Sequence, residues 1–126
     1  RISGTWCGNQ IDFLRGASVI EIIQKDRLVE NAAARGETLV KGLKALEAEF
    51  PFVTQARGLG MMAAIDLPDE ETTRRVVRRA YEKEKMVLLT SGTRTIRFRP
   101  VLDVTDETIQ DGLARLKRAL EAEGMK

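Results

Sequence analysis

Two arginines in one short stretch carry the most pointed chemistry in this sequence. Residues Thr95 to Leu102 read Thr-Ile-Arg-Phe-Arg-Pro-Val-Leu, so Ile96 and Phe98 alternate with Arg97 and Arg99. A period of two marks a strand with one buried face and one polar face, and it sends both guanidinium groups to the same side. Pro100 has no amide hydrogen and restrains the residue before it, so the ladder is expected to end close to the arginines. A planar guanidinium offers paired donors that match both oxygens of a carboxylate, which an ammonium does not. A cationic fork on a rigid strand end therefore suits carboxylate recognition. The strand by itself suits two solvated arginines at least as well, because exposed charge is common and energetically weak.

Other reactive groups are scarce. The sequence has no histidine and one cysteine, Cys7, which rules out an intramolecular disulfide and gives no metal site. Cys7 reads as a small buried residue, not a nucleophile. Lys25, Lys41, Lys44, Lys83 and Lys85 fall in helical stretches with no motif around them. Arg57-Gly58-Leu59-Gly60 holds a Gly-x-Gly, but no helix follows it, which leaves too little for a phosphate loop. Its glycines shape a turn, admit a neighbouring chain or make a bulge. Arg74, Arg75, Arg78 and Arg79 share their helix with Glu82 and Glu84 and read as a solvated face.

Composition narrows the class. At 126 residues and 43% hydrophobic content, the chain fits one domain with a substantial core. A net charge of +2, without a basic run interleaved with aromatics, gives no support to a nucleic-acid or membrane-surface partner, and no apolar run reaches membrane-spanning length. Cysteine usage points to a reduced, cytoplasmic chain. Arg1 is not an initiator, and the first residues open as a loop already under way, so a piece of something longer is expected.

The elements that must position these residues follow from periodicity. Ile11, Leu14, Ala17, Val19, Ile20, Ile22 and Ile23 predict a helix that is mostly core, fed by the loop around Trp6. Lys25-Asp26-Arg27 interrupts it, and a second helix runs to about Phe50, where Pro51 enforces the stop. Phe52 to Leu67 predicts two short strands around the glycine turn. Pro68-Asp69-Glu70-Glu71 starts a third helix reaching about Lys85, with Val76, Val77, Ala80 and Tyr81 as its apolar stripe. Met86 to Leu89 predicts a short buried strand, turned through Thr90 to Arg94 into the arginine strand as a hairpin. Thr105 or Asp106 caps a last helix that packs Ile109, Leu113, Leu116 and Leu120 inward. The order predicts a two-layer α+β fold: a small, largely antiparallel sheet covered on one face by helices, with the other face left for a missing domain or subunit.

Three separated segments together resemble the class III pyridoxal-phosphate-dependent aminotransferases of fold type I. Ser-Gly-Thr-Trp-Cys-Gly-Asn at Ser3 to Asn9 resembles that family's Ser-Thr-aromatic-Gly-Gly-Asn loop. Ala-Arg-Gly-Leu-Gly-Met-Met at Ala56 to Met62 resembles Val-Arg-Gly-Arg/Lys-Gly-Leu-Met, and Ile96 to Leu102 resembles Ile-Arg-Phe-Ala/Arg-Pro-Pro-Leu. Their order and spacing are similar to the C-terminal third of such enzymes, and within the family to the lysine 6-aminotransferase and 4-aminobutyrate aminotransferase groups. The chain departs from the pattern at Gly4, Cys7, Leu59 and Val101, none of which removes Thr5 or Arg97.

The resemblance implies an interdomain loop and linking helix over residues 1–24 and a C-terminal small domain over residues 25–126. It implies that Arg97 grips a substrate carboxylate and that Thr5 gives its hydroxyl and amide to the phosphate of pyridoxal phosphate across a homodimer interface. Arg99 is then structural or supports the residues around the site from behind, and Trp6 borders the site or packs at a domain junction. The lysine that holds the cofactor and the carboxylate that charges its pyridine nitrogen precede this segment, so no catalytic residue is expected here and the chain alone is expected to be inactive. The implied reaction moves an amino group from a donor of the lysine, 4-aminobutyrate or ornithine type to 2-oxoglutarate. The competing expectation is a free-standing α+β ligand-binding or dimerisation domain without catalysis.

Overall fold

Asn9 starts the first helix by accepting a hydrogen bond from the Ile11 amide at 3.0 Å, which satisfies one of the free amides at that end. The computed structural model describes residues 4–124. Helix α1 spans Gln10–Lys25, and Arg27, left-handed at φ 51°, turns the chain into α2, Leu28–Glu49. A hairpin of β1, Thr54–Leu59, and β2, Met62–Asp66, follows, then α3, Glu70–Glu82. Strands β3, Leu89–Ser91, and β4, Thr95–Phe98, lead to α4, Asp106–Gly124. The four strands form one antiparallel sheet in the order β1-β2-β4-β3.

The alternation read from the sequence holds in the sheet. Ala63, Ile65, Ile96 and Phe98 are buried beneath the helices, whereas Met62 and Arg97 are exposed on the other face. Leu43, Ile65, Ile96, Leu116 and Leu120 are sealed from solvent at the centre, where α2 packs on the sheet and α4 packs on α2 and α3. The fold is the expected α+β arrangement with helices on one face.

Glycines let α2 lie close on the hairpin. A Cβ on Gly36 would stand 2.2 Å from the Gly60 carbonyl oxygen, and one on Gly58 would stand 2.7 Å from the Val40 side chain. Gly60, at φ 53°, makes the tight turn itself. Two of the three roles open to these glycines are therefore both filled, turn and close approach. The bulge lies elsewhere: it falls between Thr54 and Arg57, with Gln55 left-handed at φ 57°.

Three expectations need correction. Helix α1 is not core: none of its residues is buried, and Ile11, Phe13 and Leu14 are each about two-thirds exposed or more at 66%, 69% and 71%. Its apolar pattern is real, but α1 packs on α2 by only part of its surface. The third strand is Leu89–Ser91, not the apolar run Met86 to Leu89, because the pairs made with β4 begin at Leu89 opposite Arg97. Leu88 is still buried, without joining the ladder. Helix α3 stops at Glu82, before the left-handed Lys85, and Tyr81 is exposed.

The segment after β4 is pinned from α2. The Asn31 side-chain amide donates to the Leu102 and Val104 carbonyl oxygens at 2.7 and 3.2 Å, and Arg35 pairs with Asp106 at 2.6 Å. Strand β4 ends at Phe98, one residue before Arg99, whose own position precedes Pro100. Thr105 caps α4 by accepting from the Thr108 amide at 3.3 Å.

Candidate functional site

Strand register brings a small set of polar side chains together on the open face. Arg57 and Arg97 both lie opposite Ala64, on either side of it, while Asp66 lies between Thr54 and Thr95. The bulge is what allows this. Were Thr54 to Arg57 paired in regular register, alternation from Thr54 would turn Arg57 toward the helices; with the bulge, Ala56 and Gly58 face α2 and Arg57 faces outward.

Arg57 is held at two points. Its Nη1 donates to the Gln55 carbonyl oxygen at 2.8 Å and its Nη2 to Asp66 Oδ1 at 3.1 Å. Thr95 Oγ1 donates to the same Asp66 oxygen at 2.7 Å. Burial pushes the Asp66 carboxyl upward, but the hydrogen bonds from Thr95 and Arg57 and the charges of Arg57 and Arg94 outweigh it and hold the group below the usual carboxylate range.

Arg97 differs. It is exposed in the middle of β4, and among the described residues it has no salt bridge and no side-chain hydrogen bond. A rigid strand thus presents a guanidinium with its donors uncommitted, the state a carboxylate receptor requires. Arg99 lies just beyond the strand and is exposed, and like Arg97 it takes part in no ion pair among the described residues. A hollow of about 470 Å³ between β4 and α4 counts Arg97 and Arg99 among its lining, with apolar Leu39, Phe98, Val104 and Ile109. Since Phe98 faces the helices, alternation directs the Arg97 guanidinium to the opposite, open face.

Thr5 lies at the other end of the described chain, in an exposed turn closed by a hydrogen bond from the Cys7 amide to the Gly4 carbonyl oxygen at 3.0 Å. Capping of α1 was the structural role open to it, and Asn9 performs that role instead. The Thr5 hydroxyl has no partner among the described residues. Gly8, at φ 85°, completes the turn. Cys7 is exposed, contrary to the expectation of a buried thiol, and Trp6 is 78% exposed on the same loop. The 470 Å³ hollow does not include Thr5, so this chain does not gather Thr5 and Arg97 around one cavity.

Sequence reasoning missed Asp66 and Arg57 as members of this cluster. Their signal was the register, which places them on adjacent strands, and the bulge that sets it has no glycine to announce it.

Comparison with known proteins gives this arrangement a setting. The family model for aminotransferase class III matches residues 2–120. An L-lysine-epsilon aminotransferase from Amycolatopsis lactamdurans is 43% identical over 125 residues, covering 98% of this chain and 28% of that protein. A mitochondrial 4-aminobutyrate aminotransferase from Rattus norvegicus is 40% identical over 107 residues, covering 84% of this chain and 21% of that one. A solved lysine aminotransferase from M. tuberculosis superimposes with a TM-score of 0.89 at 33% identity, over 96% of this chain and 28% of its own. The chain thus spans about 28% of the length of the lysine aminotransferases it matches.

Proposed function

This chain belongs to the class III aminotransferase family, and on that premise we propose that it is the C-terminal part of a pyridoxal-phosphate-dependent aminotransferase. The reaction moves an amino group from a terminal-amino donor of the lysine, 4-aminobutyrate or ornithine type to 2-oxoglutarate, in a cytoplasmic homodimer. The observation that carries this reading is the uncommitted Arg97 on a rigid strand. Donors and acceptor of this class each carry a carboxylate, though at different distances from the reacting carbon, so one arginine can grip each of them by the same group.

Arg97 binds the carboxylate and fixes where the amino-bearing carbon lies. Thr5 fits a phosphate: its hydroxyl is unclaimed by the helix behind it, and the turn that carries it is exposed and flanked by Gly4 and Gly8. Pyridoxal phosphate, when bound, supplies the electron sink that amino transfer needs. Thr5 serves the phosphate of the neighbouring subunit, while Arg97 serves its own. The lysine and the carboxylate that act on the cofactor belong to the larger part of the enzyme, so this chain by itself does not catalyse.

The full-length protein tests this. Replacing Arg97 by Gln is expected to raise KM for both carboxylate substrates about ten- to a hundredfold, the worth of a charge-assisted hydrogen bond, with a smaller effect on kcat. Borohydride-reducible cofactor absorbance is expected in the full-length protein and not in residues 1–126. An R97Q enzyme with unchanged KM, or a residue 1–126 chain that forms the reducible species itself, would remove the basis of the assignment.

A further inference from the structure

Asp66 sits diagonally between two guanidinium groups and serves only one of them. Facing pairs in the sheet run Arg57, Ala64, Arg97 in one row and Thr54, Asp66, Thr95 in the next. Diagonal neighbours in antiparallel pairs stand about 7 Å apart, within reach of an arginine. Either arginine can therefore take the carboxylate. Arg57 does so, anchored at its other end to the Gln55 carbonyl oxygen, and Thr95 fixes the same carboxylate oxygen from the β4 side.

We infer that Arg57 is a positioning residue for carboxylate binding: by occupying Asp66 it keeps Arg97 unpaired and free to take a carboxylate ligand. The inference rests on the role given to Arg97 above and deepens it. Asp66 is mostly shielded, with 16% of its side chain exposed, so it must keep a cationic partner. Removing Arg57 leaves Asp66 with two cations in range: Arg94, whose charge already acts on it, and Arg97, diagonal to it on the adjoining strand of the open face. Asp66 then neutralises Arg97 from within the protein, and a ligand carboxylate must displace it. The Gln55 bulge belongs to the same device, because it is what turns Arg57 to this face.

Binding of glutarate, an unreactive dicarboxylate, to the full-length holoenzyme tests the inference by calorimetry, with steady-state kinetics alongside. R57Q is expected to weaken glutarate about fivefold, the scale of a partly exposed ion pair, and to raise KM equally with kcat unchanged. R57K keeps the cation and is expected to bind within about twofold of wild type. Adding D66N to R57Q removes the competitor and is expected to restore wild-type binding. A merely structural role for Arg57 would not be rescued by deleting its partner. Wild-type affinity in R57Q, or no recovery in R57Q/D66N, overturns the inference while leaving Arg97 as the receptor. Wild-type affinity in R97Q overturns the role of Arg97 and this inference with it.

Discussion

Asp66 gives the open face a titration that can be read from outside. Its carboxyl is shifted below its ordinary value in the folded state, so folding holds the ionised form more firmly than the unfolded chain does. The stability this contributes is present above the unfolded value near about 4 and is lost as pH falls through the folded value. Urea unfolding of wild type and Asp66→Asn should therefore differ at neutral pH and converge as pH falls below about 4. A difference that persists unchanged at lower pH would mean that shape, and not charge, accounts for the contribution of Asp66. At the same scale, Thr95 to Val should shrink that difference, because Thr95 donates to Asp66 at 2.7 Å.

At the scale of elements, the hairpin is where sequence and packing meet most tightly. Gly36 of α2 lies against the turn so closely that a methyl group would stand 2.2 Å from backbone oxygen, which no rotamer can relieve. Gly36→Ala should cost about 1–3 kcal/mol in thermal or urea unfolding, as other overpacked contacts do. Gly42→Ala meets only the flexible end of Leu113 and should cost less. In β1, Gln55 at φ 57° adopts a conformation that costs a side chain about 1 kcal/mol. Gln55→Gly should leave stability within about 1 kcal/mol, because glycine relieves the strain and adds flexibility to the unfolded chain. Deleting Gln55 should remove the bulge yet leave Arg57 opposite Ala64 on the open face, because Thr54, Ala56 and Arg57 then alternate out, in and out, so the Asp66 titration shift should persist.

Across the molecule, stability and assembly are carried by different parts. The core lies among α2, α3, α4 and one face of the sheet, with Leu43 wholly buried, whereas Leu14 of α1 is 71% exposed. Leu43→Ala should destabilise the chain by about 2–5 kcal/mol. Leu14→Ala should change it by less than about 0.5 kcal/mol, as surface substitutions do. An apolar helix face this exposed is the kind that marks an interface, so Leu14→Ser in the full-length protein should weaken association measured by sedimentation while leaving the melting of residues 1–126 unchanged.

Local chemistry in the chain was enough to determine several things. Alternation around Ile96 and Phe98 fixed which side of β4 is buried, because a strand offers only two faces and one must be apolar. Pro51, Pro68, Asp69 and Thr105 marked where helices end or begin, because each acts on backbone donors within a few residues of itself. Tertiary structure alone decided what depends on distant partners. The pattern of Ile11 to Ile23 names a face that wants cover, but only coordinates show that this chain leaves it bare. The bulge at Gln55 follows from pairing with Asp66 and Ala64, not from any preference of glutamine for a left-handed backbone. Because that bulge reverses which side Arg57 occupies, the two-arginine, one-carboxylate arrangement on the open face could emerge only from the assembled sheet.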